Sequence, residues 1–229
     1  MDVYCGYGMS ESCPLLTLAQ LKTDTLAAAE DPEEKGLDLR ITQGMPILLA
    51  QVQVVDEGMI PVPVDGRSVG EVVVRTPFLT QGYVKNPEAS DKLWDGGWMH
   101  TGDIGRFDGD GYLQLVDRQK DVIKSGGEWI SSIALESLIS QHPQVREAAV
   151  ISVADARWGE RPLALVVCRQ KGALSADELR AWLRSRAEAG AIETFAIPER
   201  YQFLDEIVKT SVGKMDKKRL RQLYAGQEN

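Results

Sequence analysis

Cysteine is scarce in this chain: only Cys5, Cys13 and Cys168 occur among 229 residues. Their odd number gives no disulfide framework and their spacing matches no metal-binding pattern, so reduced thiols in a cytoplasmic protein are expected. No apolar run approaches the roughly 18 to 20 residues that a membrane span requires. The N-terminus also lacks the basic-then-apolar profile of a secretion signal. Cations are in short supply as well, with 26 Lys and Arg against 34 Asp and Glu and a net charge of -8. Nucleic-acid affinity is mostly cationic neutralisation of phosphate, so nucleic acid is not an expected partner. There is no internal repeat and no low-complexity segment. What remains is an ordinary globular composition, 43% hydrophobic and 26% charged, long enough for one large or two modest domains.

The pattern changes along the chain. Residues 17–45 read as loop and short helix with a charged middle. Residues 50–56 and 70–76 are β-branched or alternating and are separated by Pro61, Pro63 and Gly66, which predicts strands of a sheet or small barrel. Asp108-Gly109-Asp110-Gly111 predicts a turn before a strand over 112–116. From Ser131 the period becomes helical, with Ile133, Leu135, Leu138 and Ile139 on one face, Ser131 or Ser132 as N-cap and an end near His142-Pro143. Apolar strands are expected over 145–153 and 163–168. Ser175 and Glu178 are spaced as a capping box, and a basic helix over 215–224 closes the chain. Strand-and-turn sequence thus gives way to an α+β unit near 117–121.

Four clusters carry chemistry. In Gly6-Tyr7-Gly8-Met9-Ser10-Glu11 the glycines permit close backbone approach, Tyr7 offers a ring, Ser10 a hydroxyl for phosphate and Glu11 a hard oxygen for Mg²⁺. Read without chemistry, it is a glycine-rich turn with a solvated glutamate. In His100-Thr101-Gly102-Asp103 the carboxylate, expected in a turn made by Gly102, can accept two hydrogen bonds from ribose hydroxyls or cap its own turn. Arg118 supplies a rigid donor fork, whereas Lys120 and Lys124 are point charges on flexible stems, before Gly126-Gly127 and Trp129. The segment 209–221 has six basic residues against one acidic. Gly213 lets Lys214 project from a loop, and the other cations there read as a solvated face.

The order Tyr7 to Glu11, then Thr101-Gly102-Asp103, then Asp117 to Ser131, then Gly213-Lys214 resembles the successive motifs of the adenylate-forming, AMP-binding superfamily. The stretch Lys120-Asp121-Val122-Ile123-Lys124-Ser125-Gly126-Gly127-Glu128-Trp129-Ile130-Ser131 is similar to its medium- and long-chain fatty acyl-CoA ligases. The resemblance implies α/β and α+β architecture. The β-rich end of a large domain, with a barrel-like subdomain, would occupy 1–117, a hinge 118–121, and a small mobile C-terminal domain 122–229. It implies ATP/AMP, Mg²⁺ and coenzyme A as cofactors and a fatty acid as substrate. Tyr7 would stack on adenine, Ser10 contact phosphate, Glu11 hold Mg²⁺, and Asp103 and Arg118 bind ribose. Lys120 would be the hinge residue and Lys214 the catalytic lysine of adenylation. Lys124, Gly126, Gly127 and Trp129 would serve the second, thioester-forming arrangement near the pantetheine tunnel.

The sequence departs from that family's pattern in two places. Position 10 is Ser where Thr is usual, which keeps the hydroxyl. No Ser/Thr/Gly-rich phosphate loop precedes the first motif, and most of the acyl pocket would lie upstream too, so a truncated chain, inactive by itself and partnered by the missing N-terminal part, is expected; a homodimer is also admitted. Two other readings stay open: an amino or aryl acid adenylation domain serving a carrier protein, and a non-catalytic nucleotide-binding fragment. Against the carrier reading, Lys120 stands where an acidic hinge residue is common and no carrier module follows.

Overall fold

A computed structural model of the chain describes residues 2–211 and 213–225. The chain divides into two compact units, Met1–Gln119 and Lys120–Asn229.

The first unit begins with two short strands, β1 (Gly6–Tyr7) and β2 (Thr17–Leu18), and two helices, α1 (Thr23–Ala27) and α2 (Pro32–Arg40). Asp31 caps α2 by accepting from the Glu33 and Glu34 amides, and Pro32 takes the first position, where its missing N–H costs nothing. After β3 (Met45–Pro46), strands β4 (Gln51–Val55), β5 (Gly70–Arg75), β6 (Met99–Phe107) and β7 (Leu113–Arg118) pair antiparallel in that order. Of the two sequence alternatives, sheet or barrel, the open sheet is formed among the described residues. Between β5 and β6 lies α3 (Pro87–Leu93), capped by Asn86 and again opened by proline. In the register Val52 faces Val74 and Val54 faces Val72, and period-two alternation sends Val54, Val72 and Val74 into a cluster with Leu16, Met99 and Leu113. Each such buried side chain contributes about 1.5–3 kcal/mol relative to exposure.

The second unit has a hairpin of β8 (Ile123–Ser125) and β9 (Glu128–Ile130), then α4 (Ser132–Ser140) with Ser131 as its N-cap. Ile133 is corrected here. It is 52% exposed, because it precedes Leu135 by two residues, while Leu135 and Ile139, four apart, share the buried face. Strands β10 (Val145–Asp155) and β11 (Gly159–Cys168) form a long antiparallel pair; β11 also pairs with β8 and, in parallel, with β12 (Arg200–Phe203). Helix α5 (Ala176–Glu188) carries the Ser175–Glu178 capping box. Helix α6 (Lys217–Tyr224) starts two residues later than the sequence suggests, with Asp216 as cap, because Met215 is bridged to Lys209. Alternation makes β10 and β11 apolar on both faces. Ala148, Val150, Ala164 and Val166 join the cluster of Leu135, Leu179 and Leu183, while Ala149, Ile151, Leu163 and Leu165 join Ile207 and Leu220. Val212 of the basic segment and residues 226–229 lie outside the described residues. No helix among the described residues is long and apolar enough to cross a membrane.

Candidate nucleotide site and lysine loops

Asp103 is not in a turn. It lies in β6, where Gly102 takes a positive φ of 68° without ending the strand, so the residue after it continues the ladder opposite Arg118 of β7. Local bonds hold this kink: the Gly102 amide donates to Glu71 Oε1 at 3.2 Å and the Asp103 amide to Thr101 Oγ1 at 3.1 Å. The Thr101 hydroxyl in turn donates to the Val72 carbonyl.

The Tyr7 hydroxyl donates to Asp103 Oδ2 at 2.6 Å across 96 positions of sequence. Burial, and then the bond to the Asp103 carboxylate, hold the Tyr7 phenol well above its usual value, so it stays a donor. Arg118 Nε lies 3.8 Å from Asp103 Oδ1, with the arginine side chain 62% exposed and the aspartate 16%. Tyr7 differs from the expectation of a stacking surface. It is 8% exposed and belongs to the apolar cluster of Leu16, Val72 and Met99, so its ring is committed to the core and its oxygen to Asp103.

Ser10 is exposed at the start of a single 3₁₀ turn, Ser10–Ser12, in which buried Ser12 does the structural bonding to Met9 and Pro14. Glu11 is held twice: its carbonyl accepts from the Thr80 amide at 2.9 Å and its Oε1 from the Tyr83 hydroxyl at 2.7 Å. Sequence reasoning missed Tyr83, whose 72-residue separation from Glu11 leaves no local signal. No cluster of three or more His, Cys, Asp or Glu among the described residues could enclose a metal. A lone carboxylate such as Glu11 suits Mg²⁺, which commonly takes one or two protein carboxylates and completes its octahedron with phosphate and water.

In the second unit Lys124 and Trp129 face each other across the β8–β9 hairpin, and the Lys124 ammonium lies 4.4 Å from the Trp129 ring centre. The Lys124 amide donates to Glu160 Oε2. Gly126, with φ 61°, donates its amide to the Trp158 carbonyl at 2.8 Å, and an added Cβ there would sit 2.8 Å from Trp158 Cε3. Gly126 is therefore fixed both by its backbone angle and by the indole beside it. Gly127 also has positive φ. Trp158 is a second residue that sequence reasoning passed over; the only local sign was its place just before Gly159.

Lys214 is exposed on a separate loop. Its amide donates to Thr210 Oγ1 at 3.2 Å and its carbonyl accepts from the Thr210 amide at 2.7 Å, closing the loop beneath the side chain. Its ammonium has no ion pair among the described residues. Lys120, also exposed and likewise without a partner there, is the first residue of the second unit. The Gln119 amide before it donates to the Gly102 carbonyl, and Asp121 after it pairs with Arg221 at 2.9 Å.

The structure thus brings Tyr7, Asp103 and Arg118 together in one unit and Lys124, Gly126, Gly127 and Trp129 together in the other. Residues 1–84 match the AMP-binding enzyme family, and residues 134–214 match the AMP-binding enzyme C-terminal domain. The chain is 42% identical to a long-chain fatty acid–CoA ligase of Thermus thermophilus over 98% of its own length and 40% of the relative's. It is 36% identical to a medium-chain fatty acid–CoA ligase of Ectopseudomonas oleovorans, over 98% of the chain and 39% of that protein. Among solved structures, the o-succinylbenzoate CoA synthetase of Bacillus subtilis in complex with its acyl-adenylate intermediate matches with a TM-score of 0.76 and 28% identity, covering 97% of this chain and 42% of that one. The chain spans about two fifths of the length of the curated relatives it matches. With both matches in the order that its site residues follow, the chain belongs to the adenylate-forming, AMP-binding enzyme family.

Proposed function

We propose that this chain carries the AMP-binding and CoA-transfer residues of an ATP-dependent fatty acid–CoA ligase. The observation that carries the reading is the Tyr7–Asp103–Arg118 arrangement: a carboxylate fixed by a protonated phenol on one oxygen, with an exposed guanidinium near the other. Such a pair can accept from vicinal ribose hydroxyls and donate to a neighbouring oxygen. The similarity to long- and medium-chain fatty acid ligases supports a fatty acid as the acid substrate.

In the first half-reaction a carboxylate oxygen attacks the α-phosphorus of ATP and pyrophosphate leaves. Two anions approach one another, so an ammonium placed there stabilises the charge that develops. Lys214, held by its backbone to Thr210 and with its ammonium unpaired among the described residues, suits this role. Mg²⁺ held by Glu11 would neutralise phosphate charge. In the second half-reaction the CoA thiolate attacks the acyl carbonyl and AMP leaves, which requires the space beside the carbonyl to be vacated. Lys120 is the proposed hinge that exchanges Lys214 for the Lys124–Trp129 hairpin.

The test is titration of this chain with AMP by calorimetry. Saturable heat that disappears in Asp103→Ala is expected. Heat unchanged by that substitution, or none in either protein, would remove Asp103 from the nucleotide site.

A further inference from the structure

Strand β11 has a second working end. At Gly159 it meets Ser125 of the Lys124–Trp129 hairpin. Nine residues on, about 30 Å away at ~3.3 Å per residue, the strand finishes at Cys168 beside a cavity of about 440 Å³. That volume falls in the range of about 300–1,000 Å³ typical of small-molecule sites.

The cavity has two chemically distinct parts. Val167 and Leu174 line its inner wall, each packed into one of the two cores beside β11, and Phe203, 40% exposed, offers the apolar floor. Around it stand Arg146, Arg169 and Lys171 against one acid, Asp205, although the chain as a whole carries a net charge of -8. Lys171 pairs with Asp205 at 3.0 Å, and that pair is neutral. The two arginines are oriented differently. Arg169 Nε donates to the Pro143 carbonyl and Arg146 Nη2 to the Asp205 carbonyl, each at 3.0 Å. A neutral carbonyl aims a guanidinium without cancelling its charge. The terminal nitrogens of Arg169 have no partner among the described residues, leaving a donor fork that matches a carboxylate. A bare inorganic anion would satisfy the arginines and leave the apolar floor wet.

We infer that this cavity binds an amphipathic carboxylate of the medium-chain fatty acid class, its head on Arg169 and Arg146 and its alkyl chain along Phe203 and Leu174. The inference does not depend on the ligase reading. The site is remote from the Lys124–Trp129 hairpin along the same strand, so occupancy would be a second ligand event on the unit.

The chain is titrated with octanoate, and separately with inorganic phosphate and 1-octanol, while the methyl resonances of Val167, Leu174 and Leu204 are followed by NMR. Octanoate is expected to give saturable shifts at those methyls, with Leu135 methyls unmoved. Affinity should fall about tenfold in Arg169→Ala, the loss of one charge-assisted contact. Arg146→Gln serves as a second variant with the same expectation, and unchanged Leu135 resonances certify that each variant is folded. No saturable shift, an affinity in both variants equal to that of the parent chain, phosphate binding as tightly as octanoate, or octanol matching octanoate would each overturn the proposal.

Discussion

The two units hold their candidate groups in opposite ways. In residues 1–119 the groups grip one another: Tyr7 holds Asp103, Arg118 stands beside it, and Tyr83 holds Glu11. In residues 120–229 Lys120 and Lys214 stand exposed without ion pairs among the described residues, while other residues bolt the segments beneath them. Lys217 reaches Glu136 at 2.7 Å and Ser132 at 2.7 Å, and Arg221 reaches Asp121. Glu136 also accepts from the Val150 amide. Thus α6, which follows the Lys214 loop, is tied to α4, to β10 and to the residue after Lys120. A binding site for a fixed group gains from mutual contact, because preorganised partners lose less freedom when the ligand arrives. A cation that must meet different partners in different steps gains from being left unpaired on a firm base.

The largest effect is expected from breaking that base. Lys217 and Glu136 have side chains only 13% and 16% exposed. Lys217→Met leaves the carboxylate half-buried with its main counter-charge gone, which costs about 3–5 kcal/mol. Urea unfolding followed by hydrogen exchange at the β10 amides should show the loss, with the first unit unchanged and Lys217→Arg restoring most of it. An equal change in both units would show that the brackets do not belong to the second unit alone.

Next is the group on the base. In the complete enzyme, Lys214→Ala is expected to slow acyl-adenylate formation by roughly 10²–10³, about 2.7–4 kcal/mol of barrier. CoA transfer to supplied acyl-adenylate and the urea midpoint should be unaffected. Equal loss in both half-reactions would deny Lys214 a step of its own.

In the first unit the corresponding cut is Tyr7→Phe. It removes one donor to a carboxylate, an interaction worth about 1.5–3 kcal/mol, and leaves Arg118 at longer range. The first unit should lose that much in urea unfolding and AMP should bind more weakly, because Asp103 is then free to turn. Stability lost without any change in AMP affinity would make Tyr7 a core residue only.

How much of this could be read in advance follows the range of each interaction. Strands β4 and β5, the Ser131 cap and the Ser175–Glu178 box rest on periodicity or capping, which act within a few residues. Asp103 was misplaced for a physical reason: glycine before aspartate normally signals a turn, but here Gly102 sits in a bulge, and β6 resumes its pairing with β5 at Ile104 and pairs with β7 from Asp103 onward. Ile133 was misplaced because apolar identity was counted without its phase. The bonds Tyr7–Asp103 and Tyr83–Glu11 and the packing of Trp158 on Gly126 join distant residues, and no local rule encodes them. The acidic composition likewise concealed the cationic rim at Cys168, since net charge says nothing of where charge gathers.

The smallest expected effect contrasts two phenols, those of Tyr7 and Tyr201. Tyr7 has Asp103 as partner, whereas the Tyr201 hydroxyl on β12 is buried with no hydrogen bond among the described residues. Burial pushes the Tyr201 phenol up to about 12 from 10.0, against the opposing pull of Arg180 and Arg184. The folded state thus favours the neutral phenol. That preference costs nothing below pH 10, where the unfolded phenol is neutral too, and erodes stability as the pH rises from 10 towards 12, where the unfolded chain ionises first. Tyr201→Phe discards an unsatisfied oxygen and keeps the ring, so at neutral pH the second unit should change by no more than about 1 kcal/mol and in the stabilising direction. Above pH 10 the variant should lose less stability than the parent, while the first unit, where Tyr7 is also raised, keeps its full alkaline sensitivity. Urea midpoints of the two units at neutral pH and above pH 10 decide the matter, and a variant that is weaker at neutral pH would mean that the Tyr201 hydroxyl has a bonding role in solution.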